Sequence, residues 1–258
     1  MSLHYHKLGR GPNILLAFHG VGQNGESCFL PFAETLGEHY TIYAFDLFFH
    51  GKDKNADLDL ITKSFWKEII QNFIDQNSIS RFDIAGFSMG GRFALATLEA
   101  FAEKIENLFL IAPDGISEHP VYSIACRFHP GRQLFKWSME RPEIFFKAAD
   151  AFNSIGLLNT SLVRFTKHVL NTPEKRQTVY KSWLAFRQLR FDMKSIHSQV
   201  KSHNVRIYLI TGKFDKLLTS KSVKPLADLL PENQNIILKS GHTQLVAQAG
   251  AWISSLFE

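Results

Sequence analysis

The stretch Gly86-Phe87-Ser88-Met89-Gly90-Gly91 decides the fold, because it joins the apolar run 82–85 to a helix-like run that begins near Arg92. A serine at the tip of a sharp strand-to-helix turn has its hydroxyl pushed out of the backbone. Only small neighbours let such a strained turn close, which explains the glycines at positions 86 and 90. Ser88 is therefore a candidate nucleophile, although the same string without its flanking runs could be a chance match in a glycine-rich loop.

Short apolar runs rich in strand-forming residues recur along the chain, and turn residues bound each of them. Their apolar character is continuous rather than alternating, which indicates strands covered on both faces, as in a parallel sheet flanked by helices. The predicted strands are 13–18, 41–45, 82–85, 108–112, 205–211 and 236–238, and the predicted helices are 58–77, 92–102 and 244–257. The sequence thus predicts an α/β fold with a mostly parallel sheet.

The alternation of strands and helices fails between Asp114 and Val205, where the spacing is helical and no convincing strand occurs. A loop of that length is uncommon in a compact domain, so an inserted helical subdomain is expected. Prolines are expected to separate its helices: Pro120, Pro130, Pro142 and Pro173. We therefore divide the chain into a core of residues 1–115 and 204–258 and an inserted segment of residues 116–203.

The net charge of +5 is concentrated in the inserted segment, which holds 14 of the 29 basic residues and only 6 of the 24 acidic ones. These basic residues are scattered among apolar ones, which favours solvated helix faces or an anion-accepting pocket over a nucleic-acid surface. We expect a small-molecule substrate and no nucleic-acid partner. The composition of the inserted segment is compatible with a substrate that has an anionic group and an apolar part. The sequence indicates no particular oligomeric state.

The chain shows no candidate for a signal peptide or a membrane span, since its longest early apolar run covers only residues 14–18. Its two cysteines, Cys28 and Cys126, are too few for a disulfide framework. We therefore expect a cytoplasmic protein that does not bind membranes and keeps both thiols reduced.

A serine hydroxyl is a poor nucleophile at neutral pH and needs a base, usually a histidine that a carboxylate orients. His242 is the best candidate among the 11 histidines, because its loop follows the last predicted strand and can reach the carboxyl edge of the sheet. His4 and His6 alternate on an early strand, and the histidines in or beside the inserted segment lack the spacing of a metal site. We expect neither a metal nor a cofactor.

Two aspartates at strand ends are candidates for the orienting acid. Asp215 follows the strand 205–211 and gives the chain order serine, acid, histidine that accompanies a nucleophile elbow. Asp114 follows the strand 108–112 and keeps the same order, but Asp114-Gly115 is also an ordinary turn sequence. Asp215 is the preferred acid, and Asp114 is the alternative.

Acyl transfer also needs hydrogen-bond donors aimed at the developing oxyanion, and backbone N–H groups can supply them. One donor is the N–H of Met89, directly after the nucleophile. The loop His19-Gly20-Val21-Gly22 follows an early strand, and we expect the second donor to be the N–H of Val21. Without the other motifs, this loop would be an ordinary glycine turn.

Four motifs together resemble the α/β-hydrolase superfamily, and the resemblance runs nearly end to end. They are His19-Gly20, Asp46-Leu47-Phe48-Phe49-His50-Gly51-Lys52-Asp53, the turn around Ser88, and Gly212-Lys213-Phe214-Asp215 followed by Gly241-His242. The second is similar to the family's D-x-x-G-H-G-x-S loop, with Phe49 for glycine and Asp53 for serine. The resemblance implies that the inserted helices form a lid after the sixth core strand. Serine at the elbow argues against the epoxide-hydrolase and dehalogenase branches, which use aspartate there.

These residues favour a serine hydrolase of a small or medium ester or thioester, with an acyl group carried on Ser88 and no cofactor. Gly90-Gly91-Arg92 also resembles the elbow of the pyruvate-eliminating synthase of menaquinone biosynthesis, which makes Arg92 a candidate substrate contact. His19 is a second candidate substrate contact. Carbon–carbon bond hydrolases share the related Ser-Met-Gly-Gly string. A non-catalytic binding protein on the same fold is a further alternative, although such proteins usually lack a member of the triad.

Overall fold

The computed structural model describes residues 1–54, 56–118, 120–156, 158 and 160–257. Seven strands within these residues form one sheet. They are β1 (Tyr5–Leu8), β2 (Asn13–Phe18), β3 (Tyr40–Phe45), β4 (Phe82–Phe87), β5 (Ile105–Ile111), β6 (Arg206–Gly212) and β7 (Asn235–Leu238). Their order is β1-β3-β2-β4-β5-β6-β7, and only β1 runs antiparallel to its neighbour. The predicted α/β fold with a mostly parallel sheet is confirmed.

Eleven helices accompany this sheet in the described part of the chain. They are α1 (Gly25–Leu36), α2 (Lys63–Gln76), α3 (Gly90–Phe101), α4 (Pro120–Arg127), α5 (His129–Glu140), α6 (Pro142–Ser154), α7 (Thr160–Val169), α8 (Pro173–Ala185), α9 (Met193–His203), α10 (Ser220–Ala227) and α11 (Leu245–Ser254). Proline stands at the first or second position of α4, α5, α6 and α8, where its missing N–H costs no helical hydrogen bond. The four prolines therefore mark helix starts, as predicted.

Helices cover both faces of the sheet. On one face, α1 and α11 pack together and bury residues such as Phe32 and Ala249. On the other face, α2, α3, α9 and α10 bury a second core that includes Trp66 and Phe93. The indole N–H of Trp66 donates a hydrogen bond of 2.9 Å to Thr97 on α3, so this buried polar atom has a partner. No helix among the described residues has the length and apolar character needed to cross a bilayer.

The inserted segment lies between β5 and β6, so five described strands precede it rather than the six that the resemblance implies. Its last helix, α9, packs on the sheet through Met193, Ile196 and Val200. Helices α5 and α8, together with Leu170 directly after α7, form a separate small core around Met139 and Val179. Several aromatic side chains of the segment pack against this small core: Phe135, Phe145, Phe146, Tyr180 and Trp183.

The parallel strands bring six loops to one edge of the sheet. The loops after β2, β3, β4, β5, β6 and β7 all leave from the carboxyl end of their strands. Ligands of open α/β sheets bind at this edge. The edge therefore gathers the motifs that lie more than 200 residues apart in the chain.

Candidate active site

Ser88 occupies a strained turn between β4 and α3. Its φ is 52°, in the left-handed region that residues other than glycine rarely adopt. Three backbone hydrogen bonds fix the turn, because Ser88 N–H donates to Ile111 O at 3.0 Å while Ser88 O accepts from Gly91 and Asp114 at 2.9 and 2.8 Å. A side chain at Gly90 would collide with the carbonyl oxygen of Phe18, so the close approach of α3 to β2 requires glycine there. This geometry holds the Ser88 side chain at the sheet edge.

The imidazole of His242 lies between the carboxylate of Asp215 and the hydroxyl of Ser88. Its Nδ1 is 2.6 Å from Asp215 Oδ2, and its Nε2 is 3.2 Å from Ser88 Oγ. Because a carboxylate accepts hydrogen bonds, Nδ1 carries the proton and Nε2 presents its lone pair to the serine hydroxyl. The arrangement can move the serine proton to an imidazole whose orientation the acid maintains.

The carboxylate of Asp215 is buried but well satisfied. Its Oδ1 accepts hydrogen bonds from the N–H groups of Leu217 and Leu218 at 2.8 and 3.0 Å. Burial alone would raise the pKa of this carboxyl, but the hydrogen bond and charge of His242 and the two backbone donors lower its pKa overall. Asp215 therefore stays ionised beside the imidazole at neutral pH.

The alternative acid, Asp114, faces Arg92 instead of His242. Arg92 Nε and Nη2 lie 2.6 and 3.2 Å from its carboxylate oxygens. The remaining guanidinium nitrogen, Nη1, donates to Leu189 O at 3.1 Å, and the ring of Tyr122 lies 4.5 Å from the guanidinium carbon. Arg92 is thus a buried link between α3, the loop after β5 and the inserted segment. Its donors are engaged within the fold rather than presented to a substrate anion.

His19 is fully buried in the loop after β2. Its Nε2 accepts a hydrogen bond of 2.9 Å from Leu47 N–H, so the ring proton resides on Nδ1, which donates to Gly20 O at 2.7 Å. Burial and the neighbouring His50 lower the pKa of His19 to about 3, which keeps the ring neutral. Both ring nitrogens are used by the backbone, so His19 shapes the loop and offers no polar atom to a substrate.

The loop that His19 shapes carries Val21, one of the two expected oxyanion donors. Neither the N–H of Val21 nor the N–H of Met89 has a hydrogen-bond partner within the described part of the chain. Met89 precedes the first turn of α3, where backbone N–H groups are left free and the helix dipole favours negative charge. Both donors are therefore available to an anion.

Phe49 and Asp53, which depart from the family pattern in the loop after β3, each have a partner in the fold. Phe49 has a φ of 69°, a conformation that suits the glycine it replaces, and its ring packs against Phe186 at 5.9 Å. Asp53 accepts a hydrogen bond of 2.7 Å from the N–H of His4. The two departures from the family pattern therefore have local partners that the sequence pattern did not indicate.

One inserted helix, α7, contacts the ring of His242. The ring of Phe165 on α7 lies 6.1 Å from the His242 ring in an edge-on contact, and Phe87 lies 4.9 Å away from the same ring. Val21 packs against the small core of the insertion. Only 8% of Ser88 is exposed. Phe165 is a site residue that sequence reasoning missed, because nothing in its spacing separates it from the other aromatic residues of the segment.

A cavity of about 170 Å³ lies between loops of the core and the inserted helices. Gly22, the residue after Val21, lines it on one side, and Val169, one turn after Phe165, lines it on the other. Lys54 and Lys175 are also in its wall, and none of the described lining residues is acidic. Its two lysines are therefore the charged groups of the described wall, whereas Arg92 is not part of the lining.

A family model described as "alpha/beta hydrolase fold" matches residues 13–246. The chain belongs to this family. The match spans all the motifs from His19 to His242, and it confirms the family that those motifs predict.

Solved structures of this family share the fold over nearly the whole chain. A meta-cleavage product hydrolase from Pseudomonas fluorescens is 18% identical, covers 98% of this chain and 93% of its own, and superposes with a TM-score of 0.62. An enol-lactonase from Burkholderia xenovorans is 16% identical, with 99% and 95% coverage and a TM-score of 0.65. A thermophilic esterase from Thermogutta terrifontis is 16% identical, with 99% and 91% coverage and a TM-score of 0.64. At these identities the likeness shows the fold.

Curated relatives match a shorter part of the chain. The protein named "Putative esterase/lipase 2" of Mycoplasma genitalium is 26% identical over 101 residues, which are 39% of this chain and 38% of that protein. The chain therefore spans about two fifths of the length of this relative.

Proposed function

We propose that this protein is a serine hydrolase that cleaves a small or medium carboxylic ester or thioester. The observation that carries the proposal is the continuous chain of contacts from Asp215 through His242 to Ser88, at 2.6 and 3.2 Å. A base within hydrogen-bond reach of a nucleophile, itself oriented by a third group, is the arrangement that nucleophilic catalysis needs. The positive φ of Ser88 supports the same role, because strained backbone is concentrated at functional sites.

The reaction begins when His242 Nε2 accepts the Ser88 proton as Ser88 Oγ attacks the substrate carbonyl carbon. The N–H groups of Val21 and Met89 hold the negative charge that forms on the carbonyl oxygen. His242 then donates its proton to the leaving alcohol or thiol, which departs as the bond between the carbonyl carbon and that group breaks. Water, activated by His242, attacks the acyl-enzyme and releases the acid, and the proton returns to Ser88.

The helices α4 to α8 form the lid over this site in our proposal. Phe165 packs against His242, and Arg92 Nη1 binds Leu189 O where the insertion returns to the core. Because α9 packs on the sheet, a lid that ends near Leu189 fits the packing better than one that ends at residue 203. Substrate must then enter by movement of these helices or through the cavity that Gly22 lines. Two free, buried cysteines are compatible with the cytoplasmic location that we also propose.

The cavity beside Gly22 supports a substrate that carries an anionic group. Lys175 Nζ makes one long hydrogen bond of 3.4 Å, to His168 O, and the adjacent cavity holds no described acidic residue. An anion in the cavity would gain from both Lys54 and Lys175 without displacing an existing ion pair. Arg92 does not offer this, because Asp114 already matches its charge.

Hydrolysis of a carbon–carbon bond is the second candidate. The fold likeness to the meta-cleavage product hydrolase covers 98% of this chain, and the same serine and histidine arrangement could serve that reaction. The observation that raised pyruvate elimination was Arg92, and its contacts with Asp114 and Leu189 remove that support.

Turnover of a panel of substrates tests the proposal. The panel pairs p-nitrophenyl esters and acyl thioesters of increasing chain length with a vinylogous diketone acid and the menaquinone precursor. We expect ester or thioester turnover that Ser88→Ala abolishes in a folded protein. If only the diketone is turned over, carbon–carbon cleavage replaces ester hydrolysis as the proposed function. If only the menaquinone precursor is turned over, pyruvate elimination becomes the proposed function.

A further inference from the structure

Two histidines and one aspartate converge at the antiparallel edge of the sheet, away from Ser88. His4 directly precedes β1 and His6 lies within it, so their side chains share one face of the chain. Asp46 directly follows β3, the neighbour of β1, and its N–H donates a hydrogen bond of 2.9 Å to His4 O. One side-chain atom of each residue lies within 4.8 Å of the other two.

One imidazole nitrogen of each histidine in this group lacks a hydrogen-bond partner among the described residues. Nε2 of His4 and Nε2 of His6 are both shielded from solvent, and neither makes a hydrogen bond within the described chain. Buried polar atoms are normally satisfied, so two unsatisfied ones in one cluster need an explanation. Asp46 Oδ1 lies 3.4 Å from His6 Nε2, but the two atoms do not have the geometry of a hydrogen bond.

The separation of His6 from Asp46 has the value expected of two ligands on one ion. Two ligand atoms that each lie about 2.0–2.2 Å from a tetrahedral zinc ion are roughly 3.3–3.5 Å apart. We propose that His4, His6 and Asp46 form a binding site for a divalent transition-metal ion. Two imidazole nitrogens and one carboxylate oxygen are a donor set typical of zinc, which leaves a fourth position for water.

The surroundings of the three residues are built to hold the proposed ligands in place. Asp46 accepts hydrogen bonds from the N–H groups of Gly25 and Lys52, at 2.9 and 2.8 Å, so its carboxylate has a fixed orientation. Glu26 Oε2 lies 3.6 Å from His6 Nδ1, the nitrogen that would point away from the ion. Carboxylates beside the outer nitrogen of a metal-bound histidine orient the ring in many metal sites.

The role that this position suggests is structural. An ion bound to His4, His6 and Asp46 would join the edge strand β1 to the loop after β3. The next residue of that loop, Leu47, donates to His19, which shapes the turn that carries Val21. The sequence alone predicts no metal site here, because Asp46 lies 40 residues beyond His6 and only the fold unites them.

The alternative is a polar cluster in which His6 contacts Glu26 and Asp46 with no metal. Zinc binding distinguishes the two. Chain stripped with a chelator is loaded with Zn²⁺, desalted and analysed for zinc by mass spectrometry, and its Tm is followed as Zn²⁺ is added. We expect one zinc ion per chain and a Tm that rises with zinc concentration.

Variants assign the zinc to these residues. Loss of a residue that only hydrogen-bonds to a metal ligand typically weakens metal binding by roughly 10- to 100-fold. His4→Ala and His6→Ala each remove a proposed ligand itself, so each should weaken zinc binding by at least as much. His203→Ala, which removes an exposed histidine at the end of α9, is the matched control and should bind as the wild type does. Circular dichroism of the metal-free variants checks that they fold.

Cobalt provides a readout that does not depend on stability. Co²⁺ added to the metal-free wild type should give visible absorption bands of a four- or five-coordinate ion, and the His4→Ala/His6→Ala double variant should lose them. The proposal is overturned if the wild type takes up no zinc above the level of the double variant. It is equally overturned if Co²⁺ gives only the spectrum of the hydrated ion.

Discussion

The guanidinium of Arg92 donates to both carboxylate oxygens of Asp114, 2.6 Å from Nε and 3.2 Å from Nη2. The Arg92 side chain is 4% exposed, whereas that of Asp114 is 31% exposed. The two partners therefore depend on the pair to different degrees, because water can solvate the aspartate but cannot reach the arginine.

This asymmetry predicts an unequal effect of breaking the pair from either side. Asp114→Ala leaves a buried cation without its counter-ion, so we expect it to lower the free energy of unfolding by about 3 kcal/mol or more. Arg92→Met leaves an aspartate that solvent can reach and should cost roughly 1–2 kcal/mol. Urea unfolding of both variants measures the difference. Equal losses, or a larger loss for Arg92→Met, would contradict the account of this pair.

Asp215→Asn should damage catalysis rather than stability. The asparagine keeps the size of the side chain, but its amide has no negative charge. It can therefore no longer hold the proton of His242 on Nδ1 as the carboxylate does. We expect kcat for ester hydrolysis to fall by about 10³- to 10⁴-fold, as for the orienting acid in serine proteases. Asp114→Asn is the matched control, because this aspartate contacts Arg92 and should leave kcat within a few-fold of the wild type. The reverse pattern would make Asp114 the orienting acid.

The buried ring of His50 predicts a pH dependence of stability. Burial is the largest effect on this imidazole, and it lowers the pKa of His50 to about 4. Its stabilising contribution is therefore complete above the ordinary pKa of about 6.5 and is lost as pH falls from there towards 4, because only the unfolded chain then binds the proton.

His50→Asn removes this contribution while its amide can replace the hydrogen bond from Nδ1 to Phe48 O. Between pH 6 and 4.5, the free energy of unfolding of the wild type should change more steeply with pH than that of the variant, by up to about 1.4 kcal/mol per pH unit. Urea unfolding in buffers that contain a chelator measures both slopes. Parallel slopes would show that His50 is not held neutral by the fold.

The proposed binding of an anionic group in the cavity predicts charge selectivity at Lys175. Lys175→Met should lower kcat/KM for an aryl hemisuccinate or hemiglutarate ester by about 2- to 5-fold, the effect of one partly exposed charge. The neutral ester of equal length should be unaffected, since no charge is lost to it. Lys181→Met, on the same helix but outside the cavity lining, is the control. An equal loss of kcat/KM for both esters would show that Lys175 does not bind the anionic group.

The sequence predicted those features that local residue chemistry dictates. Glycines 86 and 90 and the apolar run before Ser88 suffice to predict the turn, because few other sequences let a strand and a helix approach so closely. The order of Ser88, Asp215 and His242 sufficed to predict their meeting at one sheet edge, since parallel strands end together. Strand β1 was predicted only as an early strand that carries His4 and His6, without bounds. Strand β2 has its predicted bounds, and the ends of the other five strands differ from the predictions by one to three residues.

Other features depend on pairs that only the folded chain creates. Arg92 has the same spacing whether it binds a substrate or Asp114, and His19 looks like a candidate contact until its two nitrogens are seen to bond the backbone. The contact of Phe165 with His242 joins residues 77 positions apart, across helices whose arrangement no periodicity encodes.

The central claim, that Ser88 is a nucleophile activated by His242, is tested most directly by covalent labelling. A fluorophosphonate reacts with an activated serine, and peptide mass mapping locates the adduct. The account predicts one adduct, on Ser88 of the folded wild type, with much slower labelling of His242→Ala and none of Ser88→Ala. A folded protein that gains no adduct on Ser88, or that labels equally fast without His242, would contradict it.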